Sequence, residues 1–402
     1  QTYYNDGITA TEDSDLDLNQ FGGVFVSNGA AGLRKLTFGF NYDRTTDFDN
    51  GFIASGTSNN SISDYFLGYA QGISLDLLEL QTNETIDDLY QYLGEDVNFG
   101  SQQAFLGYQG YLIDPVSSDL SNNEYTNAQN GNTFDQEYQY TTFGNSSKFS
   151  FNAAAQLSDQ WYLGLNLNAH TFDFTRNTIF YESNTGTNNA VTNVRFDNEY
   201  RAFGAGVSAQ FGAIYHASSS LRLGASYDTP TFYTISEETE QYLSTAGANG
   251  NIILDPDVIN IYEDYDLVTP GKLTASIAYV FAQRGFLSFD YSYQDYGSIR
   301  FRPDSDPFFD DLNNQVNNQL KPVSSFKLGG EFIASNWSFR GGYRLIESPY
   351  ENEYTLGDIT GYSLGIGYSF GNTRIDVAYD WAKQDQNPSL YDGAFTNTAF
   401  ID

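Results

Sequence analysis

The stretch Tyr362-Ser363-Leu364-Gly365-Ile366-Gly367-Tyr368-Ser369-Phe370, followed after Gly371–Thr373 by Arg374-Ile375-Asp376-Val377-Ala378-Tyr379-Asp380-Trp381, decides the fold class. Large apolar residues occupy alternate positions: Tyr362, Leu364, Ile366, Tyr368 and Phe370, then Ile375, Val377, Tyr379 and Trp381. A β-strand sends successive side chains to opposite faces, so this spacing predicts two strands with one apolar face, joined by a tight turn.

The same alternation recurs outward along the chain. It is clear at 287–294, where Leu287, Phe289, Tyr291 and Tyr293 oppose Ser288, Asp290, Ser292 and Gln294. It also marks 36–43, 149–157, 163–170, 203–211, 221–228, 273–281, 326–332 and 337–345, and more weakly 16–26, making twelve predicted strands in all. Short connections (Ser27–Leu33, Ser158–Gln160, His216–Ser220, Ala282–Gly285, Ala334–Asn336, Gly371–Thr373) alternate with long ones near 45–147, 178–200, 229–267, 297–323 and 346–361. In an up-and-down meander this puts every short turn at one end and every long loop at the other, the pattern of outer-membrane barrels.

Charge separates a membrane barrel from a soluble sandwich. The apolar parity of the ten clearest strands holds no Asp, Glu, Lys or Arg, whereas the polar parity carries Asp43, Arg222, Asp228, Asp290, Lys327, Glu331, Arg340, Arg344, Asp376 and Asp380. A charge facing lipid at the bilayer midplane costs roughly 2–4 kcal/mol, so one face must exclude it. Trp161, Trp337, Tyr368, Phe370 and Trp381 at strand ends suit interfacial girdles. A soluble sandwich also alternates, but buries its apolar face in a core.

Composition narrows the function. With 51 Asp+Glu against 18 Lys+Arg, a net charge of −33 opposes nucleic-acid binding, which needs clustered cations. Such acidity often means disorder, but here 17% of residues are aromatic and fall in ordered patterns. Cysteine is absent, and His170 and His216 are the only histidines, so the chain offers little for a thiolate or zinc site. No run of about 18 apolar residues predicts a transmembrane helix. A mean hydropathy of −0.44 does not oppose a barrel, whose strands are only half apolar. No composition break divides residues 1–402, so they read as a single all-β domain.

Several segments resemble the FadL/TodX family of outer-membrane transporters for long-chain fatty acids and hydrocarbons. The block Arg340-Gly341-Gly342-Tyr343-Arg344, Glu347-Ser348-Pro349 and Tyr362–Tyr368 is similar to the family's C-terminal pattern. Similar too are Tyr111-Leu112-Ile113-Asp114-Pro115, Asp228-Thr229-Pro230-Thr231-Phe232-Tyr233, Leu267-Val268-Thr269-Pro270 and Asp290-Tyr291-Ser292-Tyr293-Gln294-Asp295-Tyr296. The resemblance implies a transmembrane antiparallel barrel of fourteen strands in the Gram-negative outer membrane, among its lipid and lipopolysaccharide. It also implies diffusive passage of hydrophobic molecules, with no cofactor and no catalysis. The family carries an N-terminal hatch with an Asn-Pro-Ala motif; here Ser27-Asn28-Gly29-Ala30-Ala31-Gly32 is a faint echo of it. Twelve strands against fourteen predicts that a hatch, a first strand and a last strand lie outside this sequence.

Two sets of residues are candidate substrate contacts. Ile62, Tyr65, Phe66 and Tyr69, and Ile86, Leu89, Tyr90 and Leu93, have the i, i+3, i+4, i+7 spacing of short amphipathic helices in the first long loop. Ser61 and Thr85 each precede an Asp by three positions, as in a capping box. Their apolar faces form either an extracellular groove for an acyl chain or a packing surface against each other and the barrel rim. Lys327, Arg340 and Arg344 share the inward parity and suit a carboxylate head group, or else pair with Glu331, Asp376 and Asp380. Asp255-Pro256-Asp257 and Asp304–Asp311 lack the spacing of a calcium loop, so they read as solvated acidic loops and no metal is assigned. Rival readings are a structural subunit of a larger outer-membrane assembly, with other membrane proteins as partners, and a general porin.

Overall fold

The computed structural model describes residues 2–10, 19–28, 33–129, 133–184, 191–282, 284–352, 354–371, 373–391 and 397–401. Twelve antiparallel strands form the barrel in sequence order. They are β1 (Gln20–Asn28), β2 (Lys35–Asp47), β3 (Phe134–Gln156), β4 (Trp161–Asn184), β5 (Val191–His216) and β6 (Leu221–Asp228). Then follow β7 (Lys272–Val280), β8 (Gly285–Asp295), β9 (Pro322–Ala334), β10 (Trp337–Ile346), β11 (Ile359–Ser369) and β12 (Arg374–Lys383). In ring order β12 stands beside β1. Among the described residues, however, the hydrogen-bonded ladder of β1 runs to β2 and that of β12 to β11, and none joins β1 to β12. All ten residues of β12 are exposed.

The twelve strands match the sequence expectation, but the long connections do not. Much of 45–147, 178–200 and 229–267 is strand. β3, β4 and β5 run 23, 24 and 26 residues, while Asn50–Ser58 extends β2 and Thr231–Gly247 extends β6. A bilayer needs only ~9–11 residues per strand. The remainder rises above it as a wall. Residues 16–18 and 29–32 of the expected first strand and first turn lie outside the described residues.

These long strands change solvent partway along. On β4 the outward set is Leu163, Leu165, Leu167 and Ala169, then Thr171, Asp173, Thr175 and Asn177. The inward set is Asn166, Asn168 and His170, then Phe172, Phe174 and, higher up, the fully buried Phe180. β5 mirrors it: Val207 and Phe211 face out below, Arg195, Asp197, Glu199 and Arg201 face out above, and Phe196 is buried inside. The lower half is thus apolar outside and polar inside, as hydrocarbon requires, while the upper half is a soluble sheet with an internal core. Arg201, paired to Asp173 at 2.7 Å and Glu238 at 3.8 Å, marks the outer waterline. At the other end Trp161–Tyr215 and Trp337–Tyr368, each with ring centroids 4.6 Å apart, form an aromatic girdle beside the short turns. Below the waterline the outward Leu364 is 67% and Val377 63% exposed, which marks this belt as lipid-facing.

Proline and a bulge set the breaks. Pro230 interrupts β6 and Pro270 precedes β7, because proline donates no ladder N–H. Thr229 bridges the gap: its N–H donates to the Ala209 carbonyl and its hydroxyl accepts the Ala209 N–H, both at 2.9 Å. In β2 the register shifts between Arg44 and Thr46, so Phe38 and Phe40 face out while Phe52 and Ala54 beyond the shift face in.

The upper sheet encloses a helical cap built from the first long loop: α1 (Ser63–Ala70), α2 (Ile86–Tyr92) and α3 (Phe99–Gln109). Thr85 and Asp88 make a complete capping box. Ser61 does not cap α1 in this way, because its hydroxyl donates instead to Glu182 at 2.5 Å. α1 lies on α3 where Gly107 meets Phe66; a Cβ on Gly107 would sit 2.5 Å from the Phe66 Cβ. Phe66 is fully buried, so Gly107→Ala should destabilise the cap by about 1–3 kcal/mol. Limited proteolysis of the first loop would show it as faster cleavage with the barrel intact. The acidic 304–311 segment opens α4 (Pro307–Gln319), where the Asp306 carboxylate accepts the Phe308 N–H at 2.9 Å and Pro307 takes the first turn.

Candidate functional site

The interior has three levels. Within the membrane, inward side chains form polar ladders across strands: Asn152 to Asn166 and Asn166 to Gln210, both at 2.6 Å, and Ser150 to Asn168 at 2.8 Å. Charged residues join them. Lys35, Lys148, Arg222, Lys272, Lys327, Arg340, Arg344 and Arg374 share the inward parity with Asp43, Asp228, Asp290, Glu331, Asp376 and Asp380. Among the described residues eight cations meet six acids there, in a chain with 18 and 51 of each. The acid excess of the described residues therefore lies outside the membrane lumen.

Of the predicted head-group contacts, two are occupied by the protein itself. Arg344 forms a two-bond fork with Asp380 at 2.8 and 2.7 Å. Arg340 bonds Asp376 at 2.7 Å and Glu331 at 3.1 Å, and Arg374 shares both acids. Lys327 lies across the ladders from Asp290 and Arg344 and makes no ion pair among the described residues.

Above the waterline the interior turns aromatic. Tyr140, Phe172, Phe174, Tyr200, Tyr233 and Tyr265 face inward beneath the cap, with Phe172–Tyr233 at 5.7 Å and Phe174–Tyr200 at 6.3 Å. Arg176 stands among them, 5.0 Å over the Tyr200 ring and exposed to the interior. Unlike Arg195, Arg201, Arg340, Arg344 and Arg374, it forms no ion pair among the described residues. The neighbouring Glu237 instead accepts the hydroxyls of Tyr200 at 2.7 Å and Tyr265 at 2.6 Å. Burial, and then that carboxylate, push both phenols well above their ordinary range. Sequence reading missed Arg176 because the expected strand ended at residue 170. The signal was present: Phe172, Phe174 and Arg176 continue the inward parity of Asn166, Asn168 and His170.

The cap closes the upper level. Ile62, Phe66, Tyr90 and Leu93 are fully buried, Tyr65 and Leu89 are buried, and Tyr69 and Ile86 pack against the same core with Phe180, Phe196 and Leu243. These predicted groove residues therefore fill the cap interior. Amphipathic spacing reports a buried face and cannot say whether protein or ligand covers it. The apolar side chains the cap leaves exposed include Leu80, Tyr111, Val116 and Leu120. Leu80, Tyr108, Tyr111 and Pro115 line a depression of about 400 Å³.

Glu182 fastens cap to wall. Its buried carboxylate accepts from the Ser61 hydroxyl at 2.5 Å, the Ile62 N–H at 2.9 Å and Gln136 Nε2 at 2.7 Å. The Gln136 carbonyl accepts in turn from the Tyr4 hydroxyl at 2.5 Å and from Asn397 at 3.2 Å, tying in both terminal segments. Among the described residues no group of three or more His, Asp or Glu comes together as a metal site.

No protein-family model matches the sequence, and no curated protein sequence does. Solved structures of similar architecture include a Pseudomonas aeruginosa FadL homologue, with 12% identity, 67% of this chain and 70% of that chain aligned and a TM-score of 0.46. They also include the Ralstonia pickettii toluene transporter TbuX (16%, 94% and 78%, 0.42) and the CymD monoaromatic hydrocarbon channel (13%, 95% and 85%, 0.41).

Proposed function

We propose that this barrel is an outer-membrane channel through which hydrophobic small molecules pass by diffusion, and that amphiphiles with an acidic head group, such as long-chain fatty acids, pass best. One observation supports it most: the inward aromatic rings under the cap surround an arginine that forms no ion pair among the described residues. A general porin has no use for inward aromatic rings. Burial of an alkyl chain against them contributes about 0.8 kcal/mol per methylene, and a guanidinium matches a carboxylate with two parallel hydrogen bonds. The slight cation excess among the described residues of the lumen below favours the same anion in a protein that otherwise repels it.

The test is flux through the protein in lipid vesicles, using a fluorescent long-chain acid and the matching alcohol. Wild type should carry both. Arg176→Gln should slow the acid about tenfold, the equivalent of one charge-assisted hydrogen bond, and leave the alcohol unchanged. Flux of neither compound above empty vesicles would remove the reading. A second reading, a subunit of a larger assembly, is favoured by β12, all ten of whose residues are exposed. Cross-linking from Val377 in intact membranes to another protein would support it.

A further inference from the structure

Above the waterline the outer surface of the wall has its own concavity of about 760 Å³. One row of outward residues crosses it on consecutive ladders: Ser55, Glu137, Tyr181, Arg195, Ser244 and Ile253. The Arg195 guanidinium lies 5.6 Å from the ring centroids of both Tyr181 and Tyr242 and is held by Asp197 through Nε at 3.0 Å and Nη2 at 2.7 Å. Asp135, Asn193 and Asn251 line the same hollow.

These rings are not a lipid girdle. Phe203, on the same outward face of β5, sits at the waterline, and Arg195 stands eight residues above it. At ~3.3 Å per residue and a strand tilt of ~40°, that is ~20 Å into water. The volume is within the ~300–1,000 Å³ of small-molecule sites. The chemistry narrows the occupant. Asp135 and Glu137 repel anions. A cation finds the slot between the rings filled by Arg195, already neutralised by Asp197. What remains is a ligand with flat C–H faces for the tyrosines and hydroxyls for carboxylate and amide oxygens and for Arg195 Nη1, which Asp197 does not engage.

We propose that this hollow is a saccharide-binding site, taking a neutral sugar unit of a polysaccharide at the cell surface. The full chain, folded in a detergent without a sugar head group, would be examined by saturation-transfer NMR. The probes are maltohexaose, cellohexaose and the O-polysaccharide released from the producing cell's own lipopolysaccharide. At least one probe should show transfer from the protein, with an affinity that falls tenfold or more in the Tyr181→Ala/Tyr242→Ala double variant. Ser244→Trp, which fills the hollow and keeps both tyrosines, should abolish it, and Tyr181→Phe should preserve it. A response to the O-polysaccharide alone makes the cell's own coat the ligand; a response to the glucans makes it a foreign glycan. No transfer from any probe to the folded protein, or transfer that survives both the double variant and Ser244→Trp, overturns the proposal.

Discussion

Leu364→Arg will lower the unfolding free energy of the barrel in a bilayer by roughly 2–4 kcal/mol. Leu364 lies mid-strand in β11, on the outward face opposite Gly341 and Tyr379. Its exposed surface can be covered only by lipid, and an arginine there has no lumenal acid within reach. The neighbouring Ser363→Arg is the control. Ser363 faces inward beside Asp380 on the next strand, so the same charge finds water and an anion. Urea unfolding of the two variants in lipid vesicles should separate them by most of that interval. Equal effects would mean that the two faces see the same solvent, and the membrane assignment would fall.

Glu182→Ala should loosen the cap without unfolding the barrel. It strands three donors, from Ser61, Ile62 and Gln136, at about 1–3 kcal/mol each if no water replaces the carboxylate. Hydrogen exchange should quicken by two orders of magnitude or more in α1 and α3, while β8 to β11 stay protected. The pH dependence follows from burial, which raises the Glu182 carboxyl above its ordinary range despite these three bonds. A raised acid binds more protons folded than unfolded, so the cap loses stability as pH rises from the ordinary carboxylate range through the raised value. Glu182→Gln imitates the protonated form and should flatten that slope. A slope that persists in the variant would assign it to another group.

The membrane half of the fold was legible because one rule governs it. Leu287 to Gln294 and Tyr362 to Trp381 alternate cleanly, since one face meets lipid and the other water. The upper wall was not. There Tyr138, Phe180 and Phe196 point inward while Glu137, Tyr181 and Asp197 point out, so the apolar parity of β3 to β5 reverses within a continuous strand. A reading that follows one apolar face loses the strand at the reversal, and with it Arg176 and Glu182. The helices at 63–70 and 86–92 were legible from spacing and from Thr85–Asp88, but their role was not. α4 has its cap and proline in plain view at Asp306-Pro307, but the clustered acids of 304–311 by themselves suggest a solvated loop.

The reversal also fixes the draught of the molecule. A uniform barrel can ride up or down with membrane thickness, trading a residue of hydrocarbon contact at one rim for one at the other. Here a sinking of a single pleat, ~6.6 Å along the strand, would drag Asp173, Arg201 and Glu238 under the outer surface together. A rise of the same size would lift Val207 and Phe232, the outward apolar pair just below the waterline, toward the headgroups instead. The outer rim is therefore moored, and a thinner or thicker bilayer must adjust at the inner rim, around Trp161 and Trp337.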